Sequence, residues 1–312
     1  MEGAYDVLIF TTAKDFLRLR SNYPRLVQNI PARKLIFVGN GEVEALVQDM
    51  HMGQQVGFLN EEEIIPFADV HKIMLDVLQC ETLPRGVTGW YYQQFLKMKY
   101  SFLCRNQYYL VWDGDTIPCR PVTMFQINGG QPYLDLKREY HEEYFITLAK
   151  LFPDMHKSIE KSFISEHMLM RCDIMKNLIN DIESNDKLEG KAFYEKIIRC
   201  IDISRLRSNS FSEFETYGTY VSFRYPEAYR LRNWHSFRYG GEFFHPDAIT
   251  DSDYQWLGRD FDAISFEKNH FVREDHKDVF TKKEYQEKLS ARQILEIAQQ
   301  EFTEGYLEVW DD

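Results

Sequence analysis

Residues 108–116 read YYLVWDGDT, a bulky β-prone run that stops at two aspartates. Tyr108 to Trp112 has the aromatic and branched content of a buried strand. Asp113 and Asp115 stand at i and i+2, and a strand aims such side chains to one face. Two like charges so placed repel unless something cationic lies between them. A local reading competes: Asp-Gly is a common turn dipeptide, and a β-turn alone accounts for the motif.

Upstream, strand and helix signals alternate. Val7 to Phe10 is an apolar run ending at Thr11-Thr12, Leu35 to Val38 is a second ending at Gly39-Asn40, and Val56 to Leu59 is a weaker third. Between the first two lies a polar, Arg-rich segment from Lys14 to Gln28, with Phe16, Leu17, Tyr23 and Leu26 as core candidates. This order predicts right-handed βαβ units and a mostly parallel sheet flanked by helices. Residues 90–103 (WYYQQFLKMKYSFL) predict an amphipathic helix entered at Thr88-Gly89, with Tyr91, Phe95, Met98 and Phe102 on one face. It leads into the 108–112 strand, so the aspartates sit at the C-terminal end of a central strand, where open α/β sheets hold ligands.

Beyond residue 120 helical patterns dominate: 142–151, 166–183, 191–200 and a final helix over about 283–303. Ser212-x-x-Glu215 is a capping-box signature. Residues 233–244 (NWHSFRYGGEFF) predict a loop or short hairpin. The expected organisation is one α/β domain over 1–280, with a first half (1–116) and a more helical second half (117–280). A C-terminal helix and acidic tail follow (281–312).

The 312 residues carry a formal charge of −12, which argues against a nucleic-acid backbone as partner. The five cysteines are scattered and never spaced CxxC, so neither a zinc site nor a disulfide framework is expected, and a reducing compartment is the simple reading. No basic region precedes the short apolar run of MEGAYDVLIFTT, and no stretch approaches ~20 apolar residues. A cytoplasmic protein is expected, with peripheral contact at the inner membrane face left open for a lipid-linked acceptor.

Paired carboxylates around a glycine suit a hard divalent cation, Mn²⁺ or Mg²⁺, which takes further oxygen ligands from a diphosphate. Gly114 leaves backbone room beside it. Here the chain resembles the GT-A class of nucleotide-sugar glycosyltransferases, whose DxD motif ends a central strand; the likeness spans about residues 5–245. YYQQFLKM, LVWDGDT, SEHMLM and SEFETYG are similar to a bacterial group of uncharacterised GT-A-like proteins. The resemblance implies a metal-dependent glycosyltransferase of bacterial surface-glycan synthesis. Its partners would be a nucleotide-diphosphate sugar and a glycan or lipid-linked hydroxyl.

It also implies roles. Asp113 and Asp115 would hold the metal with a downstream histidine, for which His235 in WHSFRYGG is the candidate. Thr11, Thr12, Asn40, Lys97, Trp112 and Arg238 would meet the donor, with Arg238 neutralising the leaving diphosphate. A carboxylate base is needed if the reaction inverts; Glu213 is favoured over Glu215, which the capping box claims. Glu166-His167 competes for that role or for the acceptor, as does His141 for the acceptor. Two alternatives stand beside this: a haloacid-dehalogenase-like phosphatase with Asp113 as nucleophile, Asp115 as acid–base and Thr116 on phosphate, or a non-catalytic nucleotide-binding module. The phosphatase needs a second acidic pair, and Asp251-Ser252-Asp253 has no apolar strand leading to it.

Overall fold

The apolar runs that end at Phe10, Gly39 and Asp113 lie side by side in one sheet. The structure, a computed structural model, describes residues 5–127, 130–274, 276 and 278–299. Its strands are β1 (Asp6–Phe10), β2 (Lys34–Gly39), β3 (Val56–Asn60), β4 (Tyr108–Asp113), β5 (Thr116–Pro118), β6 (Tyr133–Leu136), β7 (His167–Arg171), β8 (Arg230–Asn233), β9 (Ser236–Phe237) and β10 (Ala263–Ser265). The main sheet has the order β3-β2-β1-β4-β7; the first four strands are parallel, and β7 runs antiparallel to β4. Two small sheets, β5-β10-β9 and β6-β8, complete a mixed α/β fold with a mostly parallel central sheet flanked by helices.

The strands β1, β2 and β4 each carry an uninterrupted apolar run because both faces are covered. Leu8, Phe10, Ile36, Val38, Tyr109 and Val111 enter one core with the Arg85–Lys99 and Glu213–Arg224 helices. Their alternates Val7, Ile9, Leu35, Phe37, Leu110 and Trp112 enter a second core, which also takes Phe237, Trp256, Phe280 and Leu295. Both cores therefore join residues from the two expected halves.

Several expectations are corrected. Residues 166–171 are not helical: β7 occupies His167–Arg171, and the helix begins at Cys172. HMLMR carries no β-branched residue, so its strand state comes from pairing with β4 and not from propensity. The helix before β4 starts at Arg85, after Pro84, and ends at Lys99 in a 3₁₀ turn, which leaves Phe102 41% exposed. Leu17 points outward while Phe16, Tyr23 and Leu26 are buried. Residues 233–244 form β9 and a short Gly240–Phe243 helix instead of a hairpin, β9 pairing in parallel with β10. The final helix is two, Lys283–Lys288 and Ala291–Gln299, and its expected extension with the acidic tail lies outside the described residues. Among the described residues no helix is long and apolar enough to cross a membrane.

A buried polar pin joins β6, β7 and β8. The Asp135 carboxylate accepts from Arg232 Nε at 2.6 Å and Nη2 at 2.7 Å, and faces His167 Nε2 at 2.8 Å. Burial opposes the Asp135 charge, but these hydrogen bonds outweigh it and hold the carboxyl below its ordinary value. A depressed carboxyl stabilises the fold above its unfolded pKa and loses that contribution as pH falls through the folded value. Asp135→Asn is therefore expected to cost about 3 kcal/mol at pH 7. In urea unfolding followed by circular dichroism, that gap narrows below about pH 4.

Candidate active site

Because β1 and β4 are parallel and in register, Phe10 lies opposite Asp113, and both strands end at one edge of the sheet. A cleft of about 760 Å³ opens there. Its walls include Thr11, Thr12, Asp15 and Arg18 after β1, Lys97 from the helix before β4, all three residues of the Asp113-Gly114-Asp115 motif, and Glu213 and Arg238 from the second half.

The DGD segment is both turn and site. Asp113 closes β4, Gly114 and Asp115 turn the chain, and Thr116 opens β5. The turn is tight against β1: a Cβ on Gly114 would stand 2.9 Å from the Phe10 carbonyl oxygen. Glycine is thus required by backbone approach, a stronger demand than space for a ligand. Asp113 N–H donates to the Glu166 carbonyl at 2.8 Å, and Glu166 takes a left-handed φ of 59° to offer it.

Lys97 organises the acidic wall. Its Nζ lies 3.0 Å from Asp113 Oδ1 and 2.7 Å from Glu213 Oε1, and over the Phe214 ring at 4.6 Å. Burial disfavours the ammonium, yet the Asp113 and Glu213 carboxylates together push its pKa up. Asp115 is left over. Its carboxyl accepts from its own backbone N–H and from no described side chain. Burial pushes it up to about 7, aided by the charges of Asp113 and Glu267 and opposed by Arg18. A carboxyl crowded by like charge, opening into a cleft, is an oxygen donor suited to an arriving cation. With Asp113 it offers two protein ligands. Among the described residues no cluster of three His, Cys, Asp or Glu side chains is arranged to hold a metal, so further oxygens would have to come from water or ligand.

Arg238 faces this wall from β9's side. It pairs with Glu139 at 2.9 Å and Glu267 at 2.9 Å, with Glu166 3.7 Å away. Burial works against its charge, but the three carboxylates push its pKa up. Glu166 itself does not line the cleft: it is buried, with Lys137 Nζ at 3.0 Å and Ser236 Oγ donating at 2.7 Å. It sits behind Arg238.

Other candidates lie apart. Trp112 is fully buried, stacks on His167 at 4.9 Å and donates through Nε1 to Thr116 O, so a donor contact is corrected to a core role. His167 has both ring nitrogens engaged, Nδ1 at Ser165 O and Nε2 at Asp135, and is likewise internal. His235 does not line the cleft; burial lowers its pKa, and its backbone is bonded to Asp262. Asn40 caps the Gly41–Asp49 helix, accepting from Glu42 and Val43 N–H. Thr12 likewise caps Ala13–Leu19, though from the cleft wall. His141 does not itself line the cleft; it lies 2.7 Å from Glu139 and packs on Tyr144, both of which do. Glu215 leaves the capping box half-made: Ser212 Oγ accepts from its N–H, but its carboxylate turns to Ser162 Oγ at 2.7 Å and Phe163 N–H at 3.1 Å. Burial pushes that carboxyl up.

The phosphatase pattern does not assemble. Thr116 is fully buried, its hydroxyl paired with Ser265 at 2.7 Å. Asp253 completes a capping box with Thr250 and binds Lys283 at 2.7 Å, away from the cleft. Residues that the sequence reading missed include Arg18, Asp15, Trp90 and Arg85. Arg18 is drawn to the site by its bond to Phe266 O at 2.7 Å, a contact across 248 positions with no local signature.

The chain belongs to the family described as "Family of unknown function (DUF6492)", whose model matches residues 26–300. No curated protein sequence matches it. Solved structures to which it is similar are glycosyltransferases. Mouse xyloside xylosyltransferase 1 in its apo form shares 12% identity, over 86% of this chain and 99% of that one, with a TM-score of 0.41. The galactosyltransferase LgtC, solved with donor and acceptor sugar analogues, shares 11% over 91% and 100%, with a TM-score of 0.41. The mannosyltransferase Ktr4p from S. cerevisiae, in complex with GDP, shares 9% over 68% of each chain, with a TM-score of 0.40. At that distance none of these likenesses carries the functional reading below, which rests on the site's own residues.

The electrostatics predict opposite effects at two neighbouring positions. Asp115→Asn removes a charge the native state disfavours, so at pH 8 without metal it should stabilise the protein by on the order of 1 kcal/mol or more. Lys97→Met strands the buried Glu213 and its partner Asp113, and should cost about 3–5 kcal/mol. Urea unfolding of both variants checks the pair.

Proposed function

We propose that this protein is a metal-dependent glycosyltransferase, moving a sugar from a nucleotide-diphosphate sugar to a hydroxyl acceptor on a glycan or lipid-linked carrier, as in bacterial surface-polysaccharide synthesis. One observation carries the reading: the DGD aspartates open into a single cleft at the C-terminal edge of parallel strands, and Asp115 there is crowded by negative charge. A 760 Å³ cleft is of the size that holds cofactor-sized ligands.

In this proposal Asp113 and Asp115 hold Mn²⁺ or Mg²⁺. Such an ion, when bound, would neutralise diphosphate oxygens and ease departure of the nucleotide. Lys97 fixes Asp113 by its 3.0 Å contact, so that carboxylate enters the site preoriented. Thr11 and Thr12, ending β1, face the donor. Arg238 and Arg18 supply positive charge to the diphosphate as the bond from the anomeric carbon to phosphate oxygen breaks. The acceptor oxygen bonds to that carbon, and Glu213 takes its proton. Trp90 and Tyr144, stacked at 6.4 Å on the cleft wall, offer apolar faces to a sugar ring, with His141 packed on Tyr144.

Thermal denaturation in the presence of UDP, GDP, CDP or ADP, each with and without Mn²⁺, tests this. At least one nucleotide is expected to raise Tm only when Mn²⁺ is present, and Asp113→Asn should abolish the shift. Stabilisation independent of metal, or by no nucleotide at all, contradicts the proposal. Release of sugar from the matching donor separates an enzyme from a non-catalytic binding module.

A further inference from the structure

The sequence scatters its cysteines, but the fold brings two together. Cys104 precedes β4 and Cys172 follows β7; since these strands are antiparallel, Tyr108 lies opposite Arg171 and both cysteines fall at the same end of the pair. Their thiols converge on one carbonyl: Cys104 Sγ donates to Asn106 O at 3.6 Å and Cys172 Sγ to the same oxygen at 3.2 Å. The backbone is tied at this point, with Cys172 N–H donating to Gln107 O at 2.9 Å. Both are free thiols, 9% and 6% exposed, at the end of β4 remote from Asp113.

We propose that Cys104 and Cys172 form a redox-active dithiol, a modification site that closes to a disulfide on exchange with a small disulfide oxidant. Thiolate attack by one cysteine on the oxidant's disulfide forms a mixed disulfide and expels one oxidant thiol. Attack by the second cysteine on the protein sulfur of that mixed disulfide expels the other. The balance is two protein thiols and one small disulfide giving one protein disulfide and two small thiols. Cys104 is the better first nucleophile: the neighbouring Cys172 thiol lowers its pKa, ahead of the opposing burial. The other cysteines lack such a partner. Cys119 is fully buried and its thiol is pushed up by that burial, and burial pushes Cys200 up to about 12. The bridge would join residues 104 and 172 across the β4–β7 pair, clear of the cleft. Its effect should therefore fall on stability and not on the sugar-transfer site.

The full chain is equilibrated with oxidised and reduced glutathione over a range of ratios, then denatured in the presence of an alkylating agent and mapped without reduction. The expected result is loss of two thiols together, a linked pair of peptides containing Cys104 and Cys172, and a Tm several degrees higher in the oxidised form. Cys172→Ser, with native circular dichroism, should instead accumulate a glutathione adduct on Cys104. If all five thiols are still alkylated at oxidising ratios, or the linkage maps to other cysteines, the proposal is overturned. The wild-type map decides this even if a variant fails to fold. Neither outcome depends on nucleotide or metal binding.

Discussion

One buried ammonium holds the cleft wall together. Lys97 stands between Asp113 and Glu213, within 3.0 Å of each, and is itself almost wholly buried. An ion so placed is expensive to desolvate, and only its two carboxylate partners make it tolerable. The converse also holds: without Lys97 the buried Glu213 carboxylate would lose its cationic partner. The lysine comes from the helix preceding β4, Asp113 from the strand end and Glu213 from the start of the Glu213–Arg224 helix. Two neighbouring elements and a helix far along the chain are thereby fixed at one point.

That contact leaves Asp115 as the unneutralised charge. Arg18 opposes the rise in its pKa and is outweighed by burial, Asp113 and Glu267. On the opposite side Arg238 is satisfied by Glu139 and Glu267, with Glu166 behind. The cleft therefore lies between Arg238, already paired with carboxylates, and Asp115, whose charge Arg18 offsets only in part. In the proposed reaction a metal on the acidic side and the guanidinium on the other would together meet an anionic group.

The central strands were legible because burial on both faces leaves an uninterrupted apolar run, as in VLIF, LIFV and YYLVW. β7 was not, because Met and Leu favour helix locally and only its partner β4 makes HMLMR a strand. The motif at 113–115, Lys97, Glu213 and Arg238 were reachable from the sequence and do share one cleft. His235 was chosen for its flanking arginines, but the two diverge: Arg232 goes to Asp135 inside the β6–β8 sheet while Arg238 goes to the cleft. Trp112 and His167 carry chemistry that the core uses instead. Arg18 and the cysteine pair depend on contacts across long stretches of chain, which no local pattern records.

The central claim is that the acidic pair and a diphosphate grip one cation together. A crystal grown with Mn²⁺ and the nucleoside diphosphate that stabilises the protein best, measured at the manganese absorption edge, tests it most directly. The account predicts an anomalous peak between the Asp113 and Asp115 carboxylates and the phosphate oxygens. A nucleotide bound elsewhere, or one bound in the cleft with no manganese at these two residues, would contradict it.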